Sequence, residues 1–115
     1  DVLRNQTIGQ GMITAVNLRF NELQRPDGEQ SLAWVRKKDL ELVRVLDALE
    51  KTANSGGLAD KPDFGTITIA CALAYATRRW SEGNWHEDRP ILMAWYQEFA
   101  RRPSMLATLP NDLKY

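Results

Sequence analysis

The chain has 115 residues, with 15 Lys+Arg balanced by 15 Asp+Glu, and 43% of its residues are hydrophobic. That length supports one domain with a true core, spanning residues 1–115, and excludes two. Zero net charge argues against a nucleic-acid or anionic-membrane surface, and the single cysteine excludes an internal disulfide.

The first element is a long helix from Asp1 to about Arg25. Ile8, Met12, Ala15, Val16 and Leu23 recur at helical offsets, and Asp1 can cap the start. Gly9 and Gly11 weaken this helix by roughly 1 kcal/mol each relative to Ala, and they permit close approach by another element. Arg25-Pro26-Asp27-Gly28 is a turn signal. A second helix is predicted from about Gln30 to Thr52. Leu32, Val35, Leu42, Leu46 and Leu49 form its apolar stripe, and Arg36, Lys37, Glu41, Arg44 and Glu50 its charged side. Two long helices joined by a short turn predict an antiparallel hairpin.

Asn54-Ser55-Gly56-Gly57 and Lys61-Pro62 mark a loop. The run from Phe64 to Arg79 is apolar almost all round, which predicts a buried central helix. Asp63 is its expected N-cap, with Thr66 at the capping-box position three residues on. A loop over 81–88 leads to a helix from Pro90 to about Arg101, on which Trp95 and Phe99 share a face. Pro103 ends that helix, and Ser104 can cap a short further turn. The sum is an all-α chain, a helical bundle of about five helices. No apolar run reaches the roughly 20 residues needed to span a bilayer, and the default compartment is cytoplasmic.

Few residues suggest chemistry. His86, in Trp85-His86-Glu87-Asp88, lacks metal-ligand spacing and is expected to be a solvated loop residue. Cys71 lies in the apolar run and is expected to be a buried, inert thiol. No carboxylate pair suggests hydrolytic work, and no metal site is expected. One stripe differs from this background. Gln6, Gln10, Thr14, Asn17 and Asn21 share a face of the first helix, all polar and none charged. A solvated face usually carries Lys and Glu, as the second helix does. Two readings fit: a half-buried interface, where an orphaned charge would be costly, or an ordinary wet face that lacks charge.

Several segments together resemble the C-terminal helical domain of bacterial glutathione transferases. Gly11-Met12-Ile13-Thr14-Ala15 resembles the middle of that domain's first helix, and Gln30-Ser31-Leu32-Ala33-Trp34-Val35 the start of its second. Phe64 to Tyr75 resembles its buried helix. Arg79-Trp80, Trp85, Arg89-Pro90 and Trp95 resemble the stretch that follows. In the family, Ser or Thr caps the buried helix and Asp stands three residues on. Here Asp63 and Thr66 invert that order, so Thr66 is expected to reach back less well than a carboxylate. Thr66→Asp is accordingly expected to be neutral or slightly stabilising.

The resemblance implies a thioredoxin-like N-terminal domain, not contained in this chain, which binds glutathione as co-substrate and activates its thiol. It implies no catalytic and no cofactor-binding residue here. It further implies a homodimer when full-length and a small electrophilic substrate on the helical side. Gln6, Gln10, Ile13, Thr14 and Asn17 are the candidate substrate-binding residues. The surface around Ile13, Ile67 and Tyr75 is expected to lie where the other domain packs. The alternative is a non-catalytic, glutathione-transferase-like protein-interaction module.

Overall fold

The computed structural model describes residues 1–59, 61–102 and 105. Among these, four α-helices follow in order: α1 (Val2–Leu23), α2 (Leu32–Asn54), α3 (Phe64–Arg79) and α4 (Pro90–Ala100). Single 3-10 turns lie between α1 and α2 (Asp27–Glu29) and between α3 and α4 (Ser81–Gly83). No strand occurs among the described residues. The count is four rather than about five, and the turn expected from Ser104 falls mainly outside the described residues.

Local chemistry accounts for the helix ends. The Asp1 carboxylate accepts from the backbone N–H of Leu3 at 2.9 Å and of Arg4 at 3.3 Å. These donors have no partner within the helix, so a side-chain acceptor there stabilises the first turn. α1 stops at Leu23, two residues short of the sequence expectation, because the chain turns before Pro26. The Gln30 side chain donates to the carbonyls of Leu23 and Arg25 at 3.1 and 2.9 Å, satisfying the open helix end. Ser31 then caps α2, its hydroxyl accepting from the Trp34 N–H at 3.2 Å.

α1 and α2 run antiparallel. Arg19 of α1 pairs with Asp39 near the start of α2, while Ile8 lies beside Val45 further along. α3 runs parallel to α1, as matching positions meet along both. Gly65 lies against Val2 and Asn5, Gly9 against Thr68 and Ile69, Asn17 against Tyr75, and Phe20 against Arg79. A Cβ on Gly9 would stand 2.6 Å from Thr68 Cγ2 and 2.9 Å from the Thr68 carbonyl carbon. Its absence therefore sets the distance between the two helices. Gly11 has no neighbour within 4 Å and plays no such part.

The main core cluster is built from Met12, Val16, Leu42, Leu46, Leu49, Ile69, Leu73 and Leu92, with Trp80 and Trp85 in it, and a smaller one joins Ala70, Phe99 and Met105. The Trp85 indole donates to the Thr77 hydroxyl at 3.0 Å, which satisfies its polar edge on burial. α4 docks on α2 through charge. Glu50 accepts from the Leu92 N–H at 2.6 Å and the Ile91 N–H at 3.3 Å. It therefore supplies the cap that Arg89, at the N-cap position, does not. Its placement on a solvated side of α2 is corrected accordingly. Arg89 itself is buried, donating to Asp47 at 2.8 Å and to the Trp85 carbonyl at 3.1 Å.

At the start of α3 the Asp63 carboxylate accepts from the Thr66 N–H at 2.7 Å, and the Thr66 hydroxyl accepts from the Asp63 N–H at 2.9 Å. Both halves of a capping box are thus present. Thr66 is wholly buried, and its hydroxyl also lies 3.2 Å from the Lys61 carbonyl and 3.2 Å from an Asp63 carboxylate oxygen. A second carboxylate has no favourable place among those oxygens. The expectation that Thr66→Asp is neutral is therefore revised to a loss of stability. Asp63→Ala removes one acceptor and should cost about 1 kcal/mol, within the usual range for a lost cap. A urea melt checks this, and an unchanged midpoint would rule out the cap as a stabilising element.

α3 departs from the sequence expectation in one respect. It is covered by Gly65, Thr66, Ile69, Ala70, Ala72, Leu73 and Ala76, but Phe64, Ile67 and Cys71 on the remaining side are exposed. Phe64 is 75% exposed and Ile67 41%. A helix apolar all round predicts cover all round, and here one stripe has none. Cys71 lies on that stripe and is exposed, not buried as expected.

Candidate functional site

The bare stripe of α3 continues onto α1. Residues 64, 67, 71 and 75 follow one side of α3, and residues 6, 10, 13, 14 and 17 follow the adjoining side of α1. The join is direct, since the Tyr75 hydroxyl donates to Asn17 Oδ1 at 3.1 Å. Gln6 and Ile13 are half-buried in the seam, while Gln10, Thr14 and Asn17 are exposed. Asn21 continues the stripe toward the turn. The residues singled out in the sequence thus share one face, and α3 adds Phe64, Ile67, Cys71 and Tyr75 to it.

The face is half apolar wall and half uncharged polar edge. Among the described residues, the side chains of Gln6, Gln10 and Thr14 take no hydrogen-bond partner, so their donors and acceptors are open to a ligand. An apolar wall with a few oriented polar groups is the usual composition of a small-molecule cleft. An exposed apolar patch of this kind also marks a contact surface.

Cys71 stands between Ile67 and Tyr75. Although the residue is exposed, desolvation by its packed surroundings pushes the thiol pKa up. That favours the thiol over the nucleophilic thiolate, and nothing in the face offsets it. His86 is exposed in the loop before α4, its ring edge-on to Trp85 at 5.9 Å. It lies away from the α1/α3 face. Among the described residues, no group of three or more His, Cys, Asp and Glu gathers as metal ligands would.

A second feature lies on the other side of α1. A shallow groove of about 450 Å³ runs between α1 and α2, lined by Thr7, Ile8, Gly11, Ala15, Glu41, Arg44 and Val45. Beside it, Arg19 ties three elements together, contacting Asp39 at 2.5 Å and Glu82 at 2.6 Å. The periodicity reading missed Arg19, because an arginine at a core-facing position carries no apolar signal.

The profile of the glutathione S-transferase C-terminal domain matches residues 33–98. The chain belongs to the glutathione S-transferase family. Its relatives agree with that assignment. It is 30% identical over 110 residues to an uncharacterized GST-like protein, YibF, from Escherichia coli K12, covering 95% of this chain and 54% of that protein. It is 36% identical to a glutathione transferase family member from Pseudomonas fluorescens Pf-5, solved with bound S-(propanoic acid)-glutathione. The superposition there has a TM-score of 0.88, covering 94% of this chain and 55% of that one. A glutathione S-transferase from Methylobacillus flagellatus KT, with glutathione bound, is 23% identical with a TM-score of 0.87, and at that identity it attests the fold. The chain spans about half the length of each of these relatives. What they share with it is the all-helical part of a glutathione transferase. Among the described residues, no helix is long and apolar enough to cross a membrane.

Proposed function

We propose that residues 1–115 form the co-substrate-side domain of a cytoplasmic bacterial glutathione transferase. In the full-length protein, glutathione binds a thioredoxin-like domain. An electrophile rests against Gln6, Gln10, Ile13, Thr14 and Asn17, and the product is its glutathione conjugate. The observation that carries this reading is the uncovered face of α1 and α3. Its apolar part supports packing by a further domain, and its amide edge supports a ligand held at the border between the two. The bound glutathione of the Pseudomonas fluorescens relatives supports the choice of thiol. The groove between α1 and α2 is free for the second copy of a homodimer.

Two measurements test the proposal. The chain alone should not conjugate glutathione to a chlorodinitrobenzene, because no group among the described residues is placed to activate a thiol; turnover above buffer would contradict this. In the full-length protein, Gln10→Ala and Ile13→Ala should change kcat/KM unequally across a panel of electrophiles. Discrimination arises from differential contact with the transition state, so a changed wall affects each electrophile differently. Glutathione KM should shift little. Equal proportional loss for every electrophile would assign these residues to structure or to the dimer contact instead.

A further inference from the structure

The charge pattern of the α1/α3 face specifies the electrophile more narrowly, on the basis of the transferase reading above. α1 has no Asp, Glu, Lys, Arg or His from Asn5 to Leu18, and α3 has none from Phe64 to Thr77. The two runs lie side by side along parallel helices. Two of the cations that flank these runs are engaged with other groups. Arg19 is held by Asp39 and Glu82, and Arg79 lies over the Phe20 ring at 4.4 Å. Arg4 follows the register of Thr7 and Gly11, on the side of α1 that borders the groove with α2.

An ionised ligand group moved from water onto such a face loses hydration and meets no opposite charge, which is costly. A neutral polar group fares differently. The side-chain amides of Gln6 and Gln10 each offer two donors and an acceptor, and the Thr14 hydroxyl offers one more of each. Ile13, half-buried at the border of the apolar wall, provides apolar surface beside them. We infer that the electrophile taken on this face is uncharged and carries an amide or carbonyl group next to an apolar ring or chain. Gln10 is the exposed group best placed to read it. A carboxylate in the same position is disfavoured because neither uncharged run supplies a cation, and a plain hydrocarbon because it leaves the amide edge unpaired.

A matched set of aryl chlorides isolates this property. With each member, the glutathione sulfur bonds to the ring carbon that carries chlorine. The C–Cl bond then breaks, chloride leaves with the bonding pair, and the thiol proton passes to solvent. The full-length protein is assayed with glutathione and 4-chloro-3,5-dinitrobenzamide, 4-chloro-3,5-dinitrobenzoate or 4-chloro-3,5-dinitrotoluene. Each kcat/KM is divided by the uncatalysed rate constant at the same pH, which removes intrinsic ring reactivity.

The amide should exceed the carboxylate by about tenfold or more, and the methyl compound by about fivefold, the scale of an unpaired charge and of one net hydrogen bond. Gln10→Lys should raise the carboxylate relative to the amide by about tenfold, since it supplies a charge-assisted donor. Equal normalised rates, a preference for the carboxylate or the methyl compound, or a ratio unmoved by Gln10→Lys would each overturn the inference while leaving the transferase reading intact. Glutathione-independent loss of substrate, or no turnover of any of the three, would overturn the transferase reading itself, and the inference with it.

Discussion

Thr66→Asp should destabilise the protein by about 2 kcal/mol, the scale of a buried charge that is only partly paired. The wild-type hydroxyl is wholly buried and stands 3.2 Å from a carboxylate oxygen of Asp63 and 3.2 Å from the Lys61 carbonyl. A carboxylate placed there keeps the Asp63 N–H as a donor but has no proton to give the Lys61 carbonyl and the Asp63 carboxylate. Like charges so close cannot both ionise without penalty. Combining Asp63→Thr with Thr66→Asp restores one hydroxyl and one carboxylate in reversed order, and most of the loss should return. A four-corner cycle of urea melts then yields a coupling energy of about 2 kcal/mol, typical of side chains in direct contact. Additive effects would show that the box does not act as a reciprocal pair. The two orders of the box are thus each consistent, and the mixed form is not.

Gly9→Val should cost about 3 kcal/mol, at the upper end of core overpacking. Two of the three nearest atoms to the added Cβ belong to backbone: the Thr68 carbonyl carbon at 2.9 Å and the Ile69 nitrogen at 3.0 Å. Side-chain rotation cannot relieve those contacts, so α1 and α3 must separate. A branched side chain adds a further clash and loses rotamer freedom in the helix. Gly11→Ala, two residues away, meets nothing within 4 Å. It should stabilise by about 1 kcal/mol through helix propensity alone. Thermal melts of the two variants should therefore shift in opposite directions. A shift of the same sign in both would refute the claim that Gly9 sets the α1–α3 spacing.

The functional consequence lies on the same pair of helices. Gly9 and Gly65 bring α1 and α3 close enough for Asn17 and Tyr75 to bond across the seam. That contact joins an amide edge on one helix to an apolar wall on the other. A variant that separates the helices should disturb this face and, through Met12, Val16, Ile69 and Leu73, the core packed on Leu42, Leu46 and Leu49 as well.

How much of this was legible in the sequence depends on how far apart the interacting residues lie. Stripes such as Met12, Ala15 and Val16, or Leu42, Leu46 and Leu49, are fixed by local period, so the helices and their core faces could be read directly. The uncharged run of Gln6, Gln10, Thr14 and Asn17 was likewise visible, because a shared helix face is a matter of spacing. Three things were not. Glu50 looked like a solvated charge, yet it caps α4 from 41 and 42 residues away, and no local pattern encodes such a bond. Arg19 and Arg89 were buried through carboxylates on other elements. Cys71 and Ile67 stood in a run apolar on every side, and periodicity records which positions are apolar but not what covers them. Sequence by itself determined the helices, the caps of α1 and α3 and the composition of the candidate face. Only the tertiary structure decided which apolar stripe stays open, because that depends on where the other helices pack, and the glycine-controlled approach of α1 to α3 sets that placement.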